Sequence, residues 1–337
     1  MFNKGLVQKG LMVLVLIVLV VLPLGGCGTQ PTKVYHVGIL SGLDAFSGIV
    51  DGFKAKMTSL GYVEGKNITY DVQSTNVDTA AYKAAIGKFV SEKVDLILAF
   101  PTEAAMEAKA DTKGTNIPVV FALAFTDVPG VNLIDSVQKP GGNITGVRWG
   151  SADTASKRLQ VLLQMAPNAK RVFAPYLKGY PNVPGQLDAI RPQAQAAGVQ
   201  LIEFPATAPQ DLQNELDQLT TSDGVGFDAV LMLVEPLGIT PDFYSLLGNF
   251  CYAHRIPIGG AIMEPDGHAS LFGLLPKPEI VGADAATQAD KIFKGTPVGS
   301  VPVLTSESYF QINLKAAQAL GVTVPEGLIK QADNVLH

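Results

Sequence analysis

Few side chains in this sequence are placed for bond-making chemistry. The four histidines, His36, His254, His268 and His337, fall at no metal-ligand spacing. No Gly-x-Ser-x-Gly elbow presents a serine nucleophile. Carboxylate pairs for acid–base work cannot be read from spacing, because partners come from distant segments. Cys251 lies in the amphipathic stretch 243–254, where a small buried apolar side chain is expected. The Gly65-Lys66 pair is one residue short of a phosphate loop, carries Asn67 in place of Ser or Thr, and precedes a strand. The glycines of 224–229 have a dinucleotide-like spacing, but they too precede their strand. What remains is a set of polar and aromatic residues at the ends of apolar runs: Ser41, Phe46, Thr102, Thr126, Asp127, Tyr180, Glu235 and Glu264. Residues of these types suit non-covalent capture of a small molecule. No enzyme, cofactor or metal is implied.

Alternating strands and helices must position those residues. Apolar runs at 34–40, 95–100 and 117–125, and an alternating run at 68–72, predict strands. Phe46, Ile49, Val50, Phe53, Met57 and Leu60 recur at helical spacing, as do Tyr82, Ile86, Phe89 and Val90. A further helix is expected over 102–112. Continuous apolar strands separated by helices mean a parallel sheet covered on both faces. The turn cluster at 139–143 breaks the pattern, which then begins again. Leu159, Leu162, Leu163 and Ala166 mark a helix, and strands are expected at 171–176, 199–204, 228–234 and 256–261. Helices are expected at 182–198, with Pro192 as a kink or a misplaced boundary, around Leu212, Leu216 and Leu219, and at 243–254. Two runs of about 120 residues are two domains of ordinary size. The expected architecture is α/β: two similar open-sheet lobes, hinged, with a cleft between them. Such sheets bind ligands beyond the carboxyl ends of their strands.

The start of the chain has a different character. Lys4 and Lys9 precede twelve unbroken apolar residues, 11–22, and then Pro23-Leu24-Gly25-Gly26. That layout predicts a secretory signal peptide over 1–26. The run falls short of the ~20 residues a membrane-spanning helix needs. The segment Leu24-Gly25-Gly26-Cys27 resembles a bacterial lipobox. The resemblance implies that the Cys27 thiol takes a diacylglyceryl group and becomes the new N-terminus, with 27–33 as a tether. Two acyl chains meet the condition for stable anchoring. Loss of Lys4 and Lys9 with the leader shifts the net charge from −5 to −7. With Cys27 lipidated, only Cys251 is left and no intrachain disulfide forms. No basic patch is long enough to suggest nucleic acid.

Four segments carry a second resemblance. They are Leu60-Gly61-Tyr62-Val63-Glu64-Gly65-Lys66-Asn67; Ile117-Pro118-Val119-Val120-Phe121 with Thr126-Asp127; Lys139-Pro140-Gly141-Gly142-Asn143-Ile144-Thr145-Gly146-Val147; and Ile312-Asn313-Leu314-Lys315 with Ala319-Leu320-Gly321-Val322 and Pro325. In this order, over about 34–336, they resemble the TrpX-like ABC-transporter substrate-binding lipoproteins. The resemblance implies the type I periplasmic-binding-protein fold: two Rossmann-like parallel-sheet lobes joined by three crossovers. It places the N-terminal lobe at 34–148 with a return segment at about 271–302. The C-terminal lobe then takes 149–270 and about 303–337. The first crossover falls near 146–150. The implied partners are a small solute, an ABC permease with its ATPase, and a membrane reached through the lipid anchor. A monomer exported to the periplasm or the cell exterior is expected.

Strand ends that lead into helix N-termini offer free N–H groups and a positive dipole end, which suit a carboxylate. Thr102 follows Pro101 at such a start and serves either as a cap or as a ligand contact. Asp127 falls where the family has a Thr-Asp pair, which implies a contact for an ammonium group or a place in the hinge; otherwise it is a turn residue beside Pro129-Gly130. Glu235 either pairs with a cation in the cleft or is a solvated loop residue. The family commonly has Thr-Asp-Asn where this chain has Val234-Glu235-Pro236, and its glycine-and-acid segment here reads Gly260 to Glu264. These departures bear on the choice of ligand. Phe46, Phe100, Phe125, Tyr176 and Tyr180 either line an apolar slot or belong to the cores. The expected function is a tethered solute receptor for an ABC importer, taking an amino acid or related zwitterion. The alternatives are a sensing module for a membrane receptor and, behind it, an exported hydrolase.

Overall fold

The computed structural model describes residues 33–75, 78–128, 130–260 and 268–337. Cys27 and Glu264 lie outside them. The elements run β1 (Tyr35–Ser41), α1 (Gly48–Ser59), β2 (Ile68–Ser74), α2 (Thr79–Glu92), β3 (Leu96–Phe100), α3 (Thr102–Asp111), β4 (Val119–Ala124) and β5 (Ile144–Arg148). Then follow α4 (Ser151–Met165), β6 (Arg171–Leu177), α5 (Val183–Ala196), β7 (Gln200–Ala206), α6 (Pro209–Leu219), β8 (Thr220–Thr221), β9 (Gly224–Val225), β10 (Ala229–Leu231), α7 (Pro241–His254) and β11 (Ile258–Gly259). The last are β12 (Phe272–Pro276), α8 (Pro278–Phe293), β13 (Leu304–Thr305), β14 (Ser308–Asn313), α9 (Leu314–Leu320), α10 (Glu326–Gln331) and β15 (Asn334–Leu336).

Two main sheets result, each with its own core. The first has the order β13-β5-β4-β3-β1-β2 and is parallel throughout. β3 and β4 are buried along their whole length, because helices cover both faces of the sheet. The second has the order β11-β10-β6-β7, also parallel. A bridge between Gly260 and Gly273 joins it to the small sheet β12-β14-β15. One apolar cluster centres on Phe53, Phe89, Phe100 and Phe121, the other on Phe173, Phe243, Phe272 and Leu247.

The chain passes between these cores three times: from β5 into α4, from β12 into α8, and from β13 into β14. The pairings set these passages a few residues from the expected ones. Phe272–Pro276 pairs with β14 in the second lobe, so the return begins after Pro276 and not at 271. Leu304–Thr305 pairs with β5 in the first lobe, so the last passage follows 305. An apolar run such as Leu271 to Leu275 fits either sheet, and its own residues do not choose between them.

Helix α8 returns to the first lobe by close backbone approach. A Cβ on Gly52 of α1 would collide with the Glu279 carbonyl, and one on Gly282 of α8 with the Ile49 carbonyl. Two glycines facing opposite backbones let the helices meet without side chains between them. Pro192 sits inside α5. The segment 224–229 holds the end of a short β8–β9 hairpin.

Candidate functional site

The first sheet has the doubly wound order 2-1-3-4-5, whose switch point lies between β1 and β3. Gly42 N–H donates to the Phe100 carbonyl across that point at 2.8 Å. Beyond it opens a cavity that is partly open to solvent. Its first-lobe wall comes from the segments that follow β1, β3, β4 and β5: Leu43 and Phe46, Pro101 to Glu103, Phe125, and Trp149. Its second-lobe wall comes from Tyr180 after β6 and from Met232 to Pro236 after β10, with Tyr244 of α7 and Leu275 of β12. The carboxyl ends of two parallel sheets therefore face one space.

Each wall is held by specific bonds. Thr102 opens α3 and is 4% exposed; its Oγ1 accepts from the Phe125 N–H at 3.0 Å and so ties the end of β3 to the end of β4. β4 carries a bulge between Ala122 and Ala124. Leu123, at the bulge, has φ of 51°, a left-handed conformation uncommon without glycine, and it presents to the cavity.

The second-lobe wall hangs on Val234. Its N–H donates to Gln186 Oε1 at 2.9 Å, and its carbonyl accepts from Gln186 Nε2 and Asn182 Nδ2, both at 2.9 Å. Two amide side chains thus replace the neighbouring strand that β10 has run out of. Ser151 donates to Asn182 at 2.6 Å, and Arg158 to Gln186 at 2.8 Å. Arg158 is wholly buried and its Nε and Nη1 have no partner. Burial alone brings its guanidinium pKa down to about 9.

Glu235 follows directly. It is 7% exposed, and its Oε2 accepts from the N–H groups of Leu177 at 3.1 Å and Leu237 at 3.0 Å. Oε1 has no hydrogen-bond partner. Burial raises the carboxyl pKa to about 7, against the pull of the Leu237, Leu177 and Gly238 amides, the last lying outside bonding geometry. Across the cavity the Tyr180 hydroxyl donates to Glu103 Oε1 at 3.4 Å. Burial first, then the Glu103 charge and hydrogen bond, then the Glu235 charge hold the Tyr180 phenol well above its ordinary pKa.

Of the residues singled out from sequence, Phe46, Thr102, Tyr180 and Glu235 stand on this wall together. Ser41, Thr126 and Asp127 stand off it. The Ser41 hydroxyl is buried at the end of β1, and Thr126 Oγ1 is buried without a partner. Asp127 turns outward and lies 3.9 Å from Arg148. Of the aromatic candidates Phe125 lines the cavity, while Phe100 and Tyr176 do not. Sequence reasoning did not single out Glu103, Met232, Tyr244 or Leu275. Glu103 adjoins Thr102 in a strand-end loop, which is a usable signal; Tyr244 reads as one more apolar position of its helix.

Residues 36–336 match the model of the ABC transporter substrate binding protein family. The chain belongs to that family. Members bind solutes and are not enzymes. Among curated relatives, a tyrosine-binding protein of Clostridioides difficile (strain R20291) is 27% identical over 274 residues, covering 80% of this chain and 75% of the relative. Among solved structures, an ABC domain in complex with L-Trp from Streptococcus pneumonia superposes with a TM-score of 0.76 at 22% identity, covering 90% of this chain and 100% of that one. A ligand-free, open substrate binding protein with adhesive properties from Clostridium difficile gives 0.72 at 25% identity, covering 90% and 99%. The fold of this ABC transporter substrate binding protein is thus that of a two-lobed periplasmic binding protein. Among the described residues no helix is long and apolar enough to cross a membrane, and no group of acidic, His and Cys side chains is arranged to hold a metal.

Proposed function

We propose that this chain captures a small amino acid or related zwitterion in the cavity between its lobes, outside the cytoplasm, and delivers it to an ABC permease. The observation that carries this reading is the cavity itself. It lies where the carboxyl ends of both parallel sheets converge, and Phe46, Phe125, Trp149, Tyr180 and Tyr244 line it. Aromatic walls suit an apolar side chain, and the Thr102 and Glu235 ends of the cavity suit polar groups. Relatives described by their binding of tyrosine and L-Trp support an amino acid of that size. Ligand that touches both walls favours their approach, and the approached form is the one the permease reads.

Thermal unfolding with a panel of amino acids is the test. A ligand that binds only the folded state at about one hundred times its Kd stabilises by about 2.7 kcal/mol. Absence of any shift across amino acids and small amides, nucleosides and sugars would remove the reading. Loss of uptake on deleting a neighbouring permease gene separates delivery from sensing. We assign the anchor to Cys27: metabolic palmitate labelling should mark the protein, and Cys27→Ala should release it from membranes.

A further inference from the structure

Strand β10 is three residues long, and its last pairing with β6 is at Val230. The residues that follow it, Met232 to Pro236, form much of the second-lobe wall of the cavity. Met232 N–H still donates to the Gly259 carbonyl at 2.9 Å. Among the described residues no strand pairs with Val234 or Glu235, so side chains must set their place. Gln186 is the centre of that arrangement. It is wholly buried, and every donor and acceptor of its amide is used. Oε1 accepts from the Val234 N–H and from Arg158 Nη2; Nε2 donates to the carbonyls of Val234 and Asn182, the latter at 3.3 Å.

A glutamine amide turns about a soft torsion, and its two ends are alike in shape. Val234 favours one orientation. Arg158 enforces the same one, because a guanidinium donates and never accepts, so only the oxygen can face it. A charge-assisted bond is about twice as strong as a neutral one, and it polarises the amide, which strengthens the Nε2 bond to the Val234 carbonyl. Against this stands the cost of Arg158 itself. It is wholly buried, and its Nε and Nη1 have no partner. A hydrocarbon side chain of similar length would fill the space without that penalty. The stability of the lobe supplies no reason for a cation here, whereas the geometry of the wall does.

We propose that Arg158 is a positioning residue for solute capture: by orienting Gln186 it fixes the Val234–Glu235 wall of the cavity, at a cost in stability. This rests on the reading of the cavity as the solute site and adds what holds one of its walls in place. Arg158 does not line the cavity and acts only through Gln186. The effect extends one residue further along the wall. The Glu235 carboxylate accepts from the Leu177 and Leu237 N–H groups, and it meets both only while Val234 keeps its place. Without Arg158 the amide loses one of the two donors to its oxygen, and the wall moves among several positions. A wall that holds the competent position a tenth of the time lowers the apparent affinity about tenfold.

Arg158→Met and Gln186→Met, alone and together, test this in the purified full chain. Three quantities are read: the urea midpoint, amide hydrogen exchange at Val234 and Leu237, and calorimetric affinity for L-tyrosine and L-tryptophan. Arg158→Met should raise the urea midpoint, speed exchange at those two amides by about tenfold or more, and weaken whichever amino acid binds the parent by about tenfold. Opposite signs for stability and affinity are what separates this role from ordinary packing, where both fall together. The double variant should bind no more weakly than Gln186→Met alone, since Arg158 has no other route to the wall. A lower urea midpoint in Arg158→Met with faster exchange throughout the lobe overturns the proposal and makes Arg158 a plain core residue. Unchanged affinity overturns it too, as does a double variant weaker than Gln186→Met. Silence of the parent toward both amino acids counts against the solute reading, and exchange at Val234 and Leu237 then decides by itself whether Arg158 positions the wall.

Discussion

The two lobes bury unmatched polarity of different kinds. In the first, the buried side-chain atoms without partners are neutral: the hydroxyls of Ser41, Tyr70, Thr75 and Thr126 and the indole N–H of Trp149. In the second they belong to ionisable groups, Arg158 and Glu235. A lone buried hydroxyl costs about one or two kcal/mol, while a lone buried charge costs several unless it is neutralised, an acid by taking up a proton and a base by losing one. The first lobe is accordingly built for tight assembly, with α1 and α8 meeting at bare glycines. The second carries electrostatic strain beside the cavity. Uneven satisfaction of this kind is expected where a site is kept ready for something that arrives later.

That contrast can be broken by substitution. The largest effect is expected in the first lobe. Gly282→Leu forces a side chain into the Ile49 carbonyl and should cost about 4 kcal/mol or more, read by thermal or urea unfolding. Next is Glu235→Gln. Burial favours the protonated acid in the folded chain, so stability attributable to Glu235 is fully present below about pH 4.5 and is lost as pH rises through about 7. Above that range the glutamine variant should exceed the parent by as much as about 3 kcal/mol, with the difference vanishing near pH 4 in a pH series of unfolding curves. A flat difference would show that Glu235 is not the source of the dependence.

Arg158→Met comes third. It removes a guanidinium that burial penalises and leaves Gln186 still bonded to Val234, so it should raise stability by about 2 kcal/mol at neutral pH in urea. A loss of similar size would mean that the cation is compensated and that the lobes differ less than described. The smallest is Thr102→Val, which keeps the shape and orphans the Phe125 N–H; it should cost about 1 to 2 kcal/mol.

Much of the fold was legible because most strands of the two main sheets declare themselves by apolar runs. The expected strands at 95–100 and 171–176 became Leu96–Phe100 and Arg171–Leu177, and the helix at 102–112 became Thr102–Asp111. Pro192 stayed within its helix, so the break it suggested lost to the packing of Leu187, Ile190 and Ala194 on the core. The small sheet of β12, β14 and β15 was not anticipated, since short runs do not announce their partners. Five wall residues of the cavity, Phe46, Thr102, Phe125, Tyr180 and Glu235, were visible as strand-end residues. Tyr244 and Leu275 were not, because they reach the cavity only through the way α7 and β12 pack. Nor could spacing reveal that Glu235 would be enclosed; that depends on Asn182 and Gln186, some fifty residues earlier.

Trp149 is the only tryptophan in the chain, and it lies 4% exposed on the cavity wall, stacked on Phe125 with ring centroids 5.6 Å apart. All indole emission must therefore originate at the one place where a guest would arrive. Its N–H meets no acceptor and its ring is buried, so the resting spectrum should be blue-shifted. The molecule carries its own optical gauge, and occupancy can be followed without attaching a dye.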